Sequence, residues 1–277
     1  MFKQQGSFRL IGLITDFGSR GQHYVGAMKA VIKSIDKHIS VIDINNNISP
    51  FSITEASFII YYAVRDLPEN SIILCVVDPG VGTERKILAV ETENNILVIG
   101  PDNGIFSLLC VKYKIRRIFE ITNKDLYYKS GKAISSTFHG KDIMAPVAAH
   151  IAAGCEIGLV GKSIRINDLI IDNKIGHAEV IDSNLIGAVI LYQDEFGNLV
   201  TNIEEKDIED CLSRYKNITL EGSNNSIRVV EKFSDLDKDE IGLLKGSSEL
   251  MELTMKNKSA AHELGLDPSS KIQLKFH

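Results

Sequence analysis

Apolar and polar positions along this chain follow two regimes, and the change falls near residue 172. In the first, short apolar runs alternate with stretches of helical spacing. Leu10 to Thr15 reads as a strand ending in the polar turn Asp16-Phe17-Gly18-Ser19. Val25, Met28, Ile32 and Ile35 recur at three- and four-residue intervals, which predicts a helix over Val25 to Ile35. Ser40 to Ile44 reads as a strand and Ile53 to Val64 as a helix. Ser71 to Val77 is a continuous apolar, β-branched run, the pattern of a strand covered on both faces. Ile87 to Val90 and Ile96 to Ile99 flank Glu93-Asn94-Asn95, which predicts a hairpin. Lys141 to Ala153 reads as a helix that stops at Gly154. This alternation predicts an α/β fold with a mostly parallel, helix-covered N-terminal sheet.

The second regime consists of short strands separated by polar turns. Leu185 to Tyr192, Asn217 to Leu220, Ser226 to Val230 and Leu250 to Thr254 are the candidates. A short helix from Ser259 to Leu264 is stopped by Gly265. The last strand alternates cleanly, with Ile272, Leu274 and Phe276 on one face and Gln273 and Lys275 on the other. A smaller β-rich C-terminal domain is therefore expected. The expected division is residues 1–172 and 173–277, with residues 167–178 as the connection.

Composition narrows the class. Of 277 residues, 44% are hydrophobic, enough for a sizeable core without disulfides. The net charge of −5 offers no basic stripe, so no nucleic-acid partner is expected. The cysteines Cys75, Cys110, Cys155 and Cys211 include no CxxC pair and read as free thiols in a reducing compartment. The opening MFKQQGSFRL lacks a long apolar segment, and no apolar run reaches spanning length. A cytoplasmic protein without a membrane partner is expected.

Four polar clusters lie at or near strand ends or open a helix, where open α/β sheets bind ligands. They are Thr15-Asp16-Phe17-Gly18, Asp78 to Arg85 (DPGVGTER), Pro101-Asp102-Asn103-Gly104 and Thr137 to Asp142 (TFHGKD). Each alone also reads as a cap or turn, with its glycines supplying positive φ. Neither GxGxxG nor GxxxxGK[ST] occurs, which argues against nucleotide-phosphate binding. Asp16, Asp78, Asp102, His139 and Asp142 allow a metal-ligand reading, but there is no HxH or HxxxH pair and no metal is expected.

Six motifs in order carry a resemblance across nearly the whole chain. They are ITDFG (Ile14 to Gly18), YVGAMKAVI (Tyr24 to Ile32), VVDPGVGTER (Val76 to Arg85), GPDNG (Gly100 to Gly104), STFHGKDIMAPVAAHIAAG (Ser136 to Gly154) and FGNLVTNI (Phe196 to Ile203). Together they resemble the S-adenosylmethionine hydroxide adenosyltransferase family, also called S-adenosylmethionine hydrolases, whose halide-using relatives are fluorinase and chlorinase. The resemblance implies an N-terminal α/β domain, a smaller C-terminal β domain, and a homotrimer with sites at subunit interfaces.

It also implies a reaction. Water attacks the ribose C5′ of S-adenosyl-L-methionine, giving adenosine and L-methionine. The leaving thioether departs neutral, so no general acid, cofactor or metal is required. Asp78, Arg85 and His139 stand where the family activates water. In the fluorinase-like relatives tyrosines match Asp78 and His139, and a long insertion precedes the segment matching residues 101–104. Here Asp78 and His139 are present and only a short turn, residues 91–95, is found. Both departures point to water and away from halide.

By the same resemblance Asp16 binds ribose, since an ionised carboxylate can accept two hydrogen bonds from a vicinal diol. Phe51 and Phe138 are candidates, as residue types, to pack on the sugar or base, with core packing as the equal alternative. Asp194 and Asn198 would contact the methionine part and the adenine, with Phe196 beside them, the alternative being a turn aspartate and a strand-end asparagine. Ser247 and Glu252 fall in a segment like S-x-G-x-x-E, but Glu249 stands where glycine is usual, Leu250 where tyrosine is common, and Lys256 where asparagine is usual. Lys141 replaces the commoner arginine. Halide-dependent cleavage and a non-catalytic adenosyl-ligand module are the alternatives.

Overall fold

The computed structural model describes residues 8–129, 131, 133–222 and 225–277. The backbone divides into two units, the first ending at Ile171 and the second running from Asp172 to His277.

In the first unit the strands are β1 (Leu10–Thr15), β2 (Ser40–Asn45), β3 (Ser71–Val76), β4 (Ile87–Thr92), β5 (Leu97–Pro101), β6 (Ile115–Ile121) and β7 (Gly161–Ser163). Its α-helices are α1 (Gln22–Ile35), α2 (Ile53–Asp66), α3 (Ser107–Lys112) and α4 (Ala145–Ala152). The sheet order is β2-β1-β3-β5-β4-β6-β7. The sheet is mixed, which corrects the mostly parallel expectation. Pairings β1–β2, β1–β3 and β3–β5 are parallel. Pairings β4–β5, β4–β6 and β6–β7 are antiparallel. The physical reason is the short β4–β5 connection, which permits a hairpin but no crossover.

β3 is buried along its whole length. Its side chains alternate between two cores, as the two-residue period of a strand requires. Ile72, Leu74 and Val76 share one core with Val25, Met28 and Ile32 of α1 and Val147 and Ile151 of α4. Ile73, Cys75 and Val77 share the other with Ala56 and Ile60 of α2 and Leu109 of α3. The residues immediately after β3 are thereby delivered from a strand with helices on both faces.

In the second unit the helices are α5 (Asn173–Gly176), α6 (Glu205–Arg214) and α7 (Ala260–Leu264). Its strands are β8 (Glu179–Asp182), β9 (Leu185–Gln193), β10 (Leu199–Glu204), β11 (Ile218–Leu220), β12 (Ser226–Val229), β13 (Ile241–Lys245), β14 (Leu250–Met255) and β15 (Lys271–Phe276). They run in the order β10-β14-β13-β12-β11-β15-β9-β8, and an additional β9–β10 pairing closes the sheet into a barrel. Closure leaves β8 outside the ring and satisfies edges that would otherwise be open. Leu199, Leu243, Leu253, Leu274 and Phe276 fill the interior. Gly265 adopts φ 63° and caps α7 in the left-handed conformation. The four cysteines are unpaired. No helix among the described residues is long and apolar enough to cross a membrane.

Candidate active site

Asp78 lies just past β3, at the start of the loop that returns to β4. Both of its oxygens accept from Arg85 on the loop's far limb. Arg85 Nε donates to Oδ1 at 2.7 Å and Nη2 donates to Oδ2. The Asp78 and Arg85 side chains are only 5% and 9% exposed, so this bidentate pair is largely desolvated. The loop is folded on itself by Val81 N–H to the Asp78 carbonyl and Thr83 N–H to the Gly80 carbonyl, at 3.2 and 3.1 Å. Asn103 of the third polar cluster donates from Nδ2 to the Val77 carbonyl at 3.0 Å and braces the loop's root.

His139 immediately precedes a π-helical turn, Gly140–Met144, that leads into α4. The single helix expected over Lys141 to Ala153 is thus divided in two, and π turns often mark functional positions. Two close approaches fix His139 against the first loop. A Cβ at Gly140 would stand 2.8 Å from Val76 Cγ1, so the turn lies directly on β3. Gly82, at φ 82°, sits where a Cβ would stand 2.6 Å from the Ser136 carbonyl oxygen. Only glycine meets both the backbone angle and the distance there. Asp142, buried, anchors the turn by accepting from Ser135 N–H at 2.8 Å and pairing with Lys141 Nζ at 3.1 Å.

The result is a continuous chain of contacts, Asp78–Arg85–His139. Arg85 Nη2 lies 2.9 Å from His139 Nδ1. Burial pushes the His139 pKa below its ordinary value, and the Arg85 cation pushes the same way, against Asp78 and Asp142.

Asp16 follows β1 and is held at Oδ2 by Phe51 N–H at 2.9 Å. Burial raises its pKa, the Phe51 contact lowers it, and the Asp78 charge adds a smaller upward push. Asp16 therefore shares the electrostatic neighbourhood of Asp78. Phe51 is 70% exposed and adopts φ 68°. A non-glycine residue in the left-handed region is strained by about 1–2 kcal/mol. The strain is held by Ser52, which caps α2 by accepting from Glu55 N–H, and by the Glu55 carboxylate, which accepts from Ser49 N–H at 3.0 Å. Phe138 meets Phe17 and Tyr24 edge to face, with ring centroids 5.8 and 5.2 Å away. Phe17 and Tyr24 lie in the first two of the six motifs, but nothing in the sequence marks them as partners of Phe138.

Asp102 is buried and accepts from Ile170 N–H at 2.9 Å, a structural use. Among the described residues no three His, Cys, Asp or Glu side chains gather as a metal-ligand set.

In the second unit, Asp194, Phe196 and Asn198 form one turn between β9 and β10. Asp194 accepts from Phe196 N–H, Asn198 N–H and Asn198 Nδ2 at 2.8–2.9 Å. Asn198 Oδ1 accepts from Thr254 at 2.5 Å. Phe196 is 79% exposed. A cavity of about 570 Å³ is lined by Phe196, Asn198, Phe233, Met255 and Lys256, among others. Ser247 stands exposed in the turn before β14. Glu249 in that turn has φ 67°, a physical reason for glycine being usual there. The Glu252 carboxylate covers Gly246, and burial, aided by the Asp194 charge, raises its pKa to about 7.

A mixed α/β unit carrying a carboxylate–guanidinium–imidazole chain, followed by a closed β barrel, defines a narrow class. The model of the SAM hydroxide adenosyltransferase N-terminal domain matches residues 11–161, and that of the C-terminal domain matches residues 188–273. The chain belongs to the SAM hydroxide adenosyltransferase family. It is 34% identical over 203 residues, 72% of this chain and 68% of the other, to the (R)-S-adenosyl-L-methionine hydrolase of Methanocaldococcus jannaschii. It is 28% identical over 96% of its length and 99% of the other to the Thermus thermophilus protein of that name. An uncharacterized conserved protein from Thermotoga maritima has the same fold, with TM-score 0.85, 32% identity and coverage of 96% of this chain and 99% of that one.

Proposed function

We propose that the protein hydrolyses S-adenosyl-L-methionine to adenosine and L-methionine by attack of a positioned water on the ribose C5′ carbon. The observation that carries this reading is the Asp78–Arg85–His139 chain, desolvated and held between two loops of the first unit. The names of the relatives agree with it. Asp78, Arg85 and His139 are the residues proposed to act on water. Asp16 takes the ribose hydroxyls, with Phe51 and Phe138 packing on the sugar or base. Asp194, Phe196, Asn198, Ser247 and Glu252 are proposed substrate contacts.

The chemistry asks little of the protein beyond placement and charge. Attack displaces the thioether from a sulfonium, so the leaving group needs no proton. Positioning the water in line with the C5′–S bond and stabilising charge on its oxygen supply the acceleration. No cofactor or metal enters this proposal. It includes a homotrimer with sites at subunit interfaces and a cytoplasmic location, with no nucleic-acid or membrane partner. Sedimentation of the purified protein tests the trimer.

Incubation with S-adenosyl-L-methionine in ¹⁸O-labelled water tests the reaction. Adenosine labelled at the 5′ oxygen, together with free methionine, is the expected result. A halogenated deoxyadenosine formed only with added halide, or binding without turnover, would overturn the hydrolytic reading.

A further inference from the structure

We infer that His139 is held as the neutral Nε2–H tautomer and meets the reacting oxygen as a hydrogen-bond donor, leaving Asp78 to take the proton. A guanidinium carries five N–H donors and no acceptor, and it stays protonated throughout the stable range of a protein. Arg85 Nη2 lies 2.9 Å from His139 Nδ1. Only a lone pair on Nδ1 satisfies that contact, so the proton of the neutral ring sits on Nε2. A proton added at Nδ1 would face a fixed cation. Burial and Arg85 both oppose the imidazolium, while Asp78 and Asp142 favour it more weakly. Lys141, paired with Asp142, is the remaining charge on the same turn. With Nδ1 closed by Arg85 and Nε2 already protonated, His139 has no lone pair free to receive a proton from water. Its remaining nitrogen donates.

Asp78 has what His139 lacks. An ionised carboxylate offers about four lone-pair sites, and Arg85 occupies one on each oxygen. The remaining sites accept. This half of the inference rests on the hydrolytic reading. As the bond from the water oxygen to C5′ forms, the C5′–S bond breaks and its electron pair leaves on sulfur as a neutral thioether. One water proton passes to the Asp78 carboxylate and then to solvent; the other stays on the new 5′-hydroxyl. The Nε2–H of His139 stabilises the charge that builds on oxygen while the proton departs. Arg85 is then both the clamp on the acceptor and the lock on the donor's tautomer.

Two measurements on the full-length protein separate the halves. The first is nitrogen NMR of protein labelled at its seven histidines, with His139 assigned by its absence in H139Q. At neutral pH an unprotonated Nδ1 and a protonated Nε2 are expected. A protonated Nδ1 overturns the tautomer, whether or not the protein turns over any substrate. The second compares H139Q, H139N and H139A in the hydrolysis assay. An amide donates N–H but is no base near neutrality. The better-placed amide variant is expected within about tenfold of wild-type kcat, while H139A loses about 10²–10³-fold, the usual cost of one oxyanion donor. The acidic limb contributed by the imidazole should vanish in the amide variant. Equal loss in all three overturns the donor role. Absence of hydrolysis by the wild type would fail the functional reading and leave the NMR result standing.

Discussion

Replacing Gly140 with alanine would place a methyl group 2.8 Å from Val76 Cγ1, 3.2 Å from Cγ2 and 3.3 Å from Met28 Sδ. Backbone angles are no obstacle, since Gly140 is not among the positive-φ glycines. The obstacle is space, because β3 and α1 are packed on that side. Overpacking of this kind costs about 1–3 kcal/mol. For a unit of this size that lowers Tm by about 2–4 °C per kcal/mol. Restoring ordinary van der Waals contact moves the turn outward by roughly 0.6–1 Å. His139 moves with it, and its 2.9 Å contact with Arg85 opens past hydrogen-bonding range. A misplacement of about 1 Å at a reacting group costs up to 10²-fold in rate. Gly140→Ala is therefore expected to lower kcat by about 10- to 100-fold, with KM little changed, alongside the lower Tm. Thermal denaturation and steady-state kinetics on the same preparation read both effects. Wild-type Tm and kcat together would refute the claim that this close approach sets the site.

Three further outcomes are expected. Asp16→Asn keeps an acceptor for Phe51 N–H but removes the charge proposed to meet the ribose diol, so KM should rise about 10-fold or more with a smaller change in kcat, by initial-rate kinetics. Glu91 is buried between Arg116 and Arg117, at 3.5 and 2.7 Å; Glu91→Ala should cost about 2 kcal/mol in urea denaturation, because two partly shielded cations lose their carboxylate. Glu252 has its pKa raised from 4.5 to about 7, so the folded state holds its proton more tightly than the unfolded chain. Stability should consequently fall as pH rises from about 4.5 through about 7, and Glu252→Gln should flatten that decline in chemical denaturation series.

What the sequence reveals follows from how local each determinant is. β1 is legible to the residue because its apolar run ends at a polar turn. The parallel core β1–β3–β5 is legible from alternation, but β6 is not, since Ile115–Ile121 is interrupted by Arg116 and Arg117. Reading that strand would have revealed the antiparallel half of the sheet. Helix α6 buries only Ile208 and Cys211, with Leu212 partly buried, and its other side chains are charged or polar, so it resembles a loop. Barrel closure depends on β9 pairing with β10 and β15, partners that lie at very different sequence separations. At the site, resemblance makes Asp78, Arg85 and His139 candidates, and the structure brings their side chains into contact, but the reasons they meet are not legible in the sequence. Gly82 beneath Ser136 and Gly140 on Val76 are contacts across more than 50 residues. The same distance hides Phe17 and Tyr24 as partners of Phe138.

β3 is paired on both sides and buried along both faces. Its amides should exchange with solvent only through the largest opening available to the first unit, because every smaller fluctuation leaves a neighbouring strand in place. Asp78 inherits that protection from the strand it extends. On heating, the pairing of Asp78 with Arg85 should survive until the unit itself opens, so loss of chemistry and loss of the fold should share one rate.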